Sequence, residues 1–186
     1  MIRRNLKRLL RIATLALCGV LPPVQALEIG EAAPALVAMQ PDGRALALAS
    51  LRGQVVYVDF WASWCAPCLQ AMPALDALQR RYGARGFAVI GVNVDTERKA
   101  ALRMLERVGV GFAIVLDPQG RWPEAFGLSA MPSGYLLDRA GVVRFVKAGY
   151  MAKDLPQIEA AVLTLLGDDG DAKTMAPRAA TGGAAP

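Results

Sequence analysis

Histidine does not occur among the 186 residues. That absence excludes Ser-His-Asp and Cys-His machinery and a Cys/His zinc site, and Leu69 stands where a C-x-x-C-H haem attachment would need its histidine. Cysteine is scarce as well, at three residues, and a metal knuckle built on Cys65 and Cys68 would lack its second ligand pair. A long apolar run is also missing. The run from Ile12 to Leu21 has about half of the roughly 20 residues a spanning helix needs. Acidic residues are absent before Leu27, whereas Arg3, Arg4, Lys7, Arg8 and Arg11 carry five of the 21 basic residues and so the whole net charge of +5. From Leu27 onward basic and acidic residues balance, so electrostatic attraction to nucleic acid is unsupported. After Leu166 no Leu, Ile, Val, Phe, Trp or Tyr occurs, and such a stretch cannot bury a core. Cysteine redox chemistry is what survives these exclusions.

The basic start, the apolar run and the small residue ending Pro22-Pro23-Val24-Gln25-Ala26 read as an export signal over residues 1–26, cleaved after Ala26 in preference to being kept as an anchor. Cys18 is not a lipid-attachment cysteine on this reading, because Leu17 before it is not small. Arg3-Arg4 lacks the Ser/Thr that would mark a twin-arginine signal, so the general export route is expected. Residues 27–166 then make one domain, with 54% of the chain hydrophobic, and residues 167–186 a tail without fixed structure.

Along the domain, two short apolar runs around Pro41-Asp42-Gly43 predict an N-terminal hairpin extension. Val55–Trp61, near-continuously apolar with three valines, predicts a central strand buried on both faces in a mostly parallel sheet. Cys68, Met72, Leu75, Leu78 and Tyr82 recur at helical spacing, predicting a helix from Ala66 to about Tyr82 that Pro73 kinks and Gly83 ends. A strand over Phe87–Val94, a helix capped by Thr96 and running through Val108, a strand over Ala113–Leu116 and a short helix over Trp122–Phe126 follow. Ser133–Leu137 and Val142–Ala148 predict an antiparallel hairpin, and Asp154 with Pro156 starts a last helix. The expected fold class is therefore α/β, a mixed sheet with helices on both faces.

Two cysteines three apart in the first turn of a helix bring their sulfurs within bonding reach. The unsatisfied N–H groups there favour a thiolate on Cys65, which makes it the exposed attacking sulfur, while Cys68, one turn deeper, is placed to resolve the mixed disulfide. An inert structural disulfide is the alternative, although stabilising bridges close longer loops than this one. Asp59 is a carboxylate inside an apolar strand. Buried, it has a raised pKa and can exchange a proton with Cys68; at a strand end reaching water, it would do neither. Trp61 and Trp64 read as packing, with Trp64 also covering the site and meeting the partner. Met131-Pro132 reads on its own as an ordinary X-Pro turn.

Trp64-Cys65-Ala66-Pro67-Cys68, preceded by Val58-Asp59-Phe60-Trp61-Ala62 and followed by Pro73, resembles the active-site strand and kinked helix of thioredoxin. Phe126-Gly127 through Met131-Pro132-Ser133, then Tyr135-Leu136-Leu137-Asp138-Arg139-Ala140-Gly141, is similar to the second half of the TlpA/ResA-like exported thiol-disulfide oxidoreductases, and the likeness spans roughly residues 29–166. The resemblance implies a thioredoxin-like fold with a helix-strand insertion between Asp95 and Pro132. It also implies catalytic Cys65, Cys68 and Asp59, support from Ala66, Pro67 and Pro73, and a cis Pro132 beside the disulfide with Trp64 and the Met131 backbone meeting substrate. No metal or cofactor is expected, and the chain is expected to act as a monomer. Partners would be proteins bearing disulfides and, for a reductant in an oxidising periplasm, a membrane thiol electron donor. Ala71 stands where many members carry Glu, leaving proton handling to Asp59. Ser133 replaces the Glu of members dedicated to cytochrome c maturation, which weighs against that role. An oxidase or isomerase of the same fold and a Cu(I) metallochaperone are the other readings; a thiol peroxidase would want a lone cysteine.

Overall fold

The computed structural model describes residues 26–167. The predicted leader and tail lie outside these residues except at their inner ends, where Ala26 opens the chain and Gly167 closes the final helix. In chain order the elements are β1 (Val37–Met39), β2 (Ala45–Ala47), β3 (Val55–Trp61), α1 (Ala66–Tyr82), β4 (Phe87–Asn93), α2 (Arg98–Val108), β5 (Ala113–Leu116), α3 (Arg121–Ala125), β6 (Ser133–Leu137), β7 (Val143–Ala148) and α4 (Leu155–Gly167).

The strands form one sheet in the order β2-β1-β5-β4-β3-β6-β7. All seven residues of β3 are buried, as its valine-rich run predicts. Its surroundings are less parallel than expected: β4 runs parallel to it, but β6 on the other side is antiparallel. Burial on both faces comes from the layers above and below, so an apolar run does not report strand direction. The predicted helix-strand insertion is α2 and β5, and the N-terminal hairpin joins the sheet there through Met39 opposite Leu116.

Alternation along β3 divides two cores. Val55, Tyr57 and Trp61 point into the layer under α1, α2 and α4, with Met72, Leu75, Ala101, Ile158 and Val162. Val56, Val58 and Phe60 point to the other face, where Trp122, Phe126 and Tyr135 pack edge-on and stacked around Phe60. Filling both faces with large side chains is what holds β3, and therefore the turn that follows it, in a fixed place.

α1 keeps its expected bounds: it runs through Pro73, which cannot donate to the Leu69 carbonyl, and Gly83 caps its end in a right-handed conformation; the chain then tightens into a 3-10 turn that stops at Gly86, where φ is 89° and glycine is favoured. Other boundaries differ from expectation. Thr96 does not cap α2. The chain leaves β4 with Asp95 turned back onto Asn93 and Ser63, which delays the helix to Arg98 and leaves Thr96 exposed. Val142 falls just outside β7, where it bridges to Ala32.

Candidate active site

The turn at the carboxyl end of β3 carries Ser63 and Trp64, and α1 begins directly after Cys65, its N-cap residue. Pro67 falls in the first turn, where its missing N–H would be unpaired in any case. Cys65 and Cys68 are joined by a disulfide, with Cα atoms 5.3 Å apart. No side chain caps α1 and no acid lies in its first turn, so its amide end acts on the Cys65 sulfur without a competing anion.

Exposure is graded across the pair. Cys65 keeps 5% of its surface and Cys68 none. The sequence predicts an exposed Cys65; the structure keeps its order relative to Cys68 but encloses it, because Trp61, Ala62 and half-buried Met131 pack into the same cluster as both sulfurs. Trp64, expected to cover the site, stands 70% exposed and offers surface instead. The Met131-Pro132 peptide is cis, Pro132 is buried, and its carbonyl accepts a hydrogen bond from the Gly149 amide at 2.7 Å. Ala66, Pro67 and Pro73 are all exposed.

Asp59 is buried, 3% exposed, in the middle of β3 and does not reach water at a strand end. Its register places it on the face of Tyr57 and Trp61, beneath the cysteine-bearing helix. Burial pushes its carboxyl well above the usual carboxylate range, and its Oδ2 has no hydrogen-bond partner. Across the sheet its neighbours are Gly91 on β4 and Gly134 on β6, and Gly134 in turn lies opposite Lys147 on β7. The space over Gly134 is taken by the Tyr57 phenol: a Cβ there would sit 2.0 Å from its oxygen. Burial raises the Tyr57 pKa well above its usual value, with the Asp59 charge as the next cause, and Tyr150 is raised by burial and then by Asp154 and Asp59. The Lys147 ammonium is engaged 3.2 Å from Asp154, so it does not neutralise Asp59. The Asp154 carboxyl is held below the usual range, first by the Met151 amide it accepts from.

One group escaped the sequence reading. Asp95 is buried, and its Oδ2 accepts the Ser63 amide at 2.9 Å and the Asn93 side-chain amide at 2.8 Å, while its Oδ1 accepts the Ser63 hydroxyl at 2.9 Å. It braces the turn two residues ahead of Cys65 from the end of the neighbouring strand. The available signal was Asn93-Val94-Asp95, polar residues closing an otherwise apolar strand. Among the described residues no group of three or more His, Cys, Asp or Glu side chains is arranged to hold a metal ion.

Comparison with known proteins accords with this arrangement. The Redoxin family pattern matches residues 28–162. The chain is 33% identical over 129 residues to the thiol-disulfide oxidoreductase ResA of Geobacillus thermodenitrificans, covering 69% of this chain and 74% of that one. It is 28% identical over 131 residues to ResA of Bacillus subtilis, covering 70% and 73%. A solved structure from Chlorobium tepidum, described as a thiol:disulfide interchange protein DsbE, superimposes with a TM-score of 0.74 at 37% identity, covering 76% of this chain and all of the other. With a thioredoxin-like sheet, a disulfide at the head of α1 and a cis proline before β6, the chain belongs to the Redoxin family, among the TlpA/ResA-like thiol-disulfide oxidoreductases of the thioredoxin superfamily.

Proposed function

We propose that the protein is an exported reductant of protein disulfides, working through a Cys65/Cys68 dithiol-disulfide cycle. The observation that carries this reading is the graded pair itself: a disulfide at an uncapped helix N-terminus, with only Cys65 in touch with solvent. In the reduced protein the Cys65 thiolate attacks a partner disulfide, forming a mixed disulfide and releasing one partner thiolate, which takes up a proton. Cys68 then gives its proton to the Asp59 carboxylate and attacks the Cys65 sulfur, which expels the second partner sulfur as a thiolate. The first partner thiolate has taken its proton from solvent and the second takes the one that Asp59 received from Cys68, so two electrons and two protons reach the partner, the Asp59 carboxylate is restored and the Cys65–Cys68 disulfide remains. A second dithiol, here a membrane thiol donor in an oxidising compartment, must return those electrons.

The upward shift of the Asp59 pKa supports its part, since it makes the carboxylate a stronger base than an ordinary aspartate. Trp64 offers exposed apolar surface beside the attacking sulfur. Among the described residues the Met131 backbone makes no hydrogen bond, which leaves it open to an extended partner strand. Ala66, Pro67 and Pro73 shape the first turns of the helix that hold the two sulfurs.

Cys68→Ser should accumulate mixed disulfides between Cys65 and its partner, identifiable by mass spectrometry, while Cys65→Ser should not; the reverse pattern overturns the assignment of roles. A reduction potential at or above roughly -120 mV in glutathione buffers would overturn the reductive direction. Stoichiometric tight Cu(I) binding without disulfide turnover would overturn the enzyme reading in favour of a metallochaperone.

A further inference from the structure

Cys65 exposes too little surface to recognise a partner by itself, so recognition rests on what surrounds it. One helix of the insertion comes to that place. Ala100, Arg103, Met104 and Arg107, at the i, i+3, i+4, i+7 spacing of a single helical face, line a hollow of about 130 Å³ with Ser63 as its fifth wall residue. Ser63 immediately precedes exposed Trp64 and is two residues from Cys65, and the Asp95 carboxylate holds it by two hydrogen bonds of 2.9 Å. The hollow is therefore fixed with respect to the attacking sulfur.

Its charge is of one sign. α2 carries Arg98, Lys99, Arg103 and Arg107 against the single acid Glu106, and Arg103 and Arg107 are both exposed. Among the described residues neither of these two guanidinium groups meets a carboxylate, in contrast to Arg44, Arg80, Arg81, Arg121 and Arg144, which all do. Two unpaired planar cations beside an apolar Met104 stem, with exposed Trp64 next in the chain to the Ser63 wall, offer a surface that fits carboxylates on an extended peptide. The basic face is local, because basic and acidic residues balance in the chain from Leu27 onward.

We propose that Arg103, Met104 and Arg107 of α2, with Trp64, form the docking shelf for an acidic segment flanking the partner's disulfide, so that the helix-strand insertion sets substrate choice. This rests on the thiol-disulfide oxidoreductase reading and adds the substrate class to it. Attraction of this kind acts mainly on the encounter rate and is screened by salt.

The test uses the reduced protein and three disulfides: a peptide disulfide flanked by Asp and Glu, the same peptide flanked by Lys, and neutral bis(2-hydroxyethyl) disulfide. At low salt kcat/KM should be about tenfold higher for the acidic peptide than for the basic one, and the ratio should shrink towards one at high salt. In Arg103→Glu/Arg107→Glu the preference should invert while the neutral disulfide reacts at the wild-type rate. Equal rates for the two peptides, or a preference that survives the double substitution, overturns the shelf. So does an equal loss of rate on all three disulfides, which would mean that the arginines act on the cysteines and not on docking. Binding of a dT20 oligonucleotide that depends on both arginines, with no peptide preference, would assign the face to nucleic acid and also overturn it. If wild type reacts with none of the three, the underlying oxidoreductase reading fails instead.

Discussion

Replacing Asp59 by Asn changes one proton site in a place where little else titrates. In the oxidised protein Cys65 and Cys68 are locked in the disulfide, and the chain has no histidine. Between about pH 5 and pH 7 no side chain with an ordinary pKa changes charge, so a proton that a raised group keeps above the ordinary carboxylate range is seen without background. Burial raises the folded Asp59 pKa above the roughly 3.9 of an unfolded aspartate. Below about pH 4 both states hold the proton and stability is unaffected. Between the unfolded and folded values, the folded state keeps a proton that the unfolded state has lost, so stability falls as pH rises; above the folded value the loss is complete and constant. The slope inside the window is on the order of 1 kcal/mol per pH unit. An asparagine side chain at this position has no such proton, so the stability of wild type relative to Asp59→Asn, measured by urea unfolding across pH 4 to 8, should decline along that window. At pH 7 the variant should be the more stable protein. In stopped-flow exchange it should also be slower, by about 10²- to 10⁴-fold where proton transfer limits the rate. Unfolding curves that stay parallel from pH 4 to 8 would refute both the burial cost and the proton-handling role derived from it.

Asp95→Ala removes the acceptor of two hydrogen bonds from Ser63 and one from Asn93, and it should cost about 2–4 kcal/mol with each of the three bonds worth about 1 kcal/mol net. It should also slow attack by Cys65 in single-turnover alkylation, with Asp95→Asn partly restoring the rate; wild-type kinetics in the Ala variant would refute the bracing role. Gly134→Ala puts a methyl group against the Tyr57 phenol and should lower stability by about 1–3 kcal/mol as overpacking does, while an unchanged thermal midpoint would mean that Tyr57 moves aside freely.

Much of the fold is legible in the sequence because its signals are strong and local. The valines of β3, the 3-4 spacing of Cys68, Met72, Leu75 and Tyr82, and the Asp138 to Gly141 turn each speak for their own element. Asp138 Oδ1 accepts the Val142 amide at 2.9 Å, which is the turn chemistry that the hairpin reading rests on. What is not legible depends on partners distant in the chain. Thr96 resembles a cap because a cap is read from its own neighbours, whereas Asp95 is drawn to Ser63, 32 positions away. The enclosure of Cys65 depends on Met131, which no local pattern brings to it. The burial of Asp59 can be inferred from its strand, but its placement between Gly91 and Gly134, neither of which has a side chain to pair with its Oδ2, follows only from register.

The segment before β3 is tied to both margins of the sheet. Gly30 and Glu31 exchange backbone hydrogen bonds of 2.8 Å with Val143 at the β7 margin, while β1 pairs with β5 towards the other. These partners lie about 75 to 115 positions further along, so the part of the domain made first is completed last. Contacts at such separations carry a loop-closure cost and are slow to form. A chain arranged in this way stays open until its final hairpin has been made, and a truncation before β7 should leave the first residues of the domain without a place to dock.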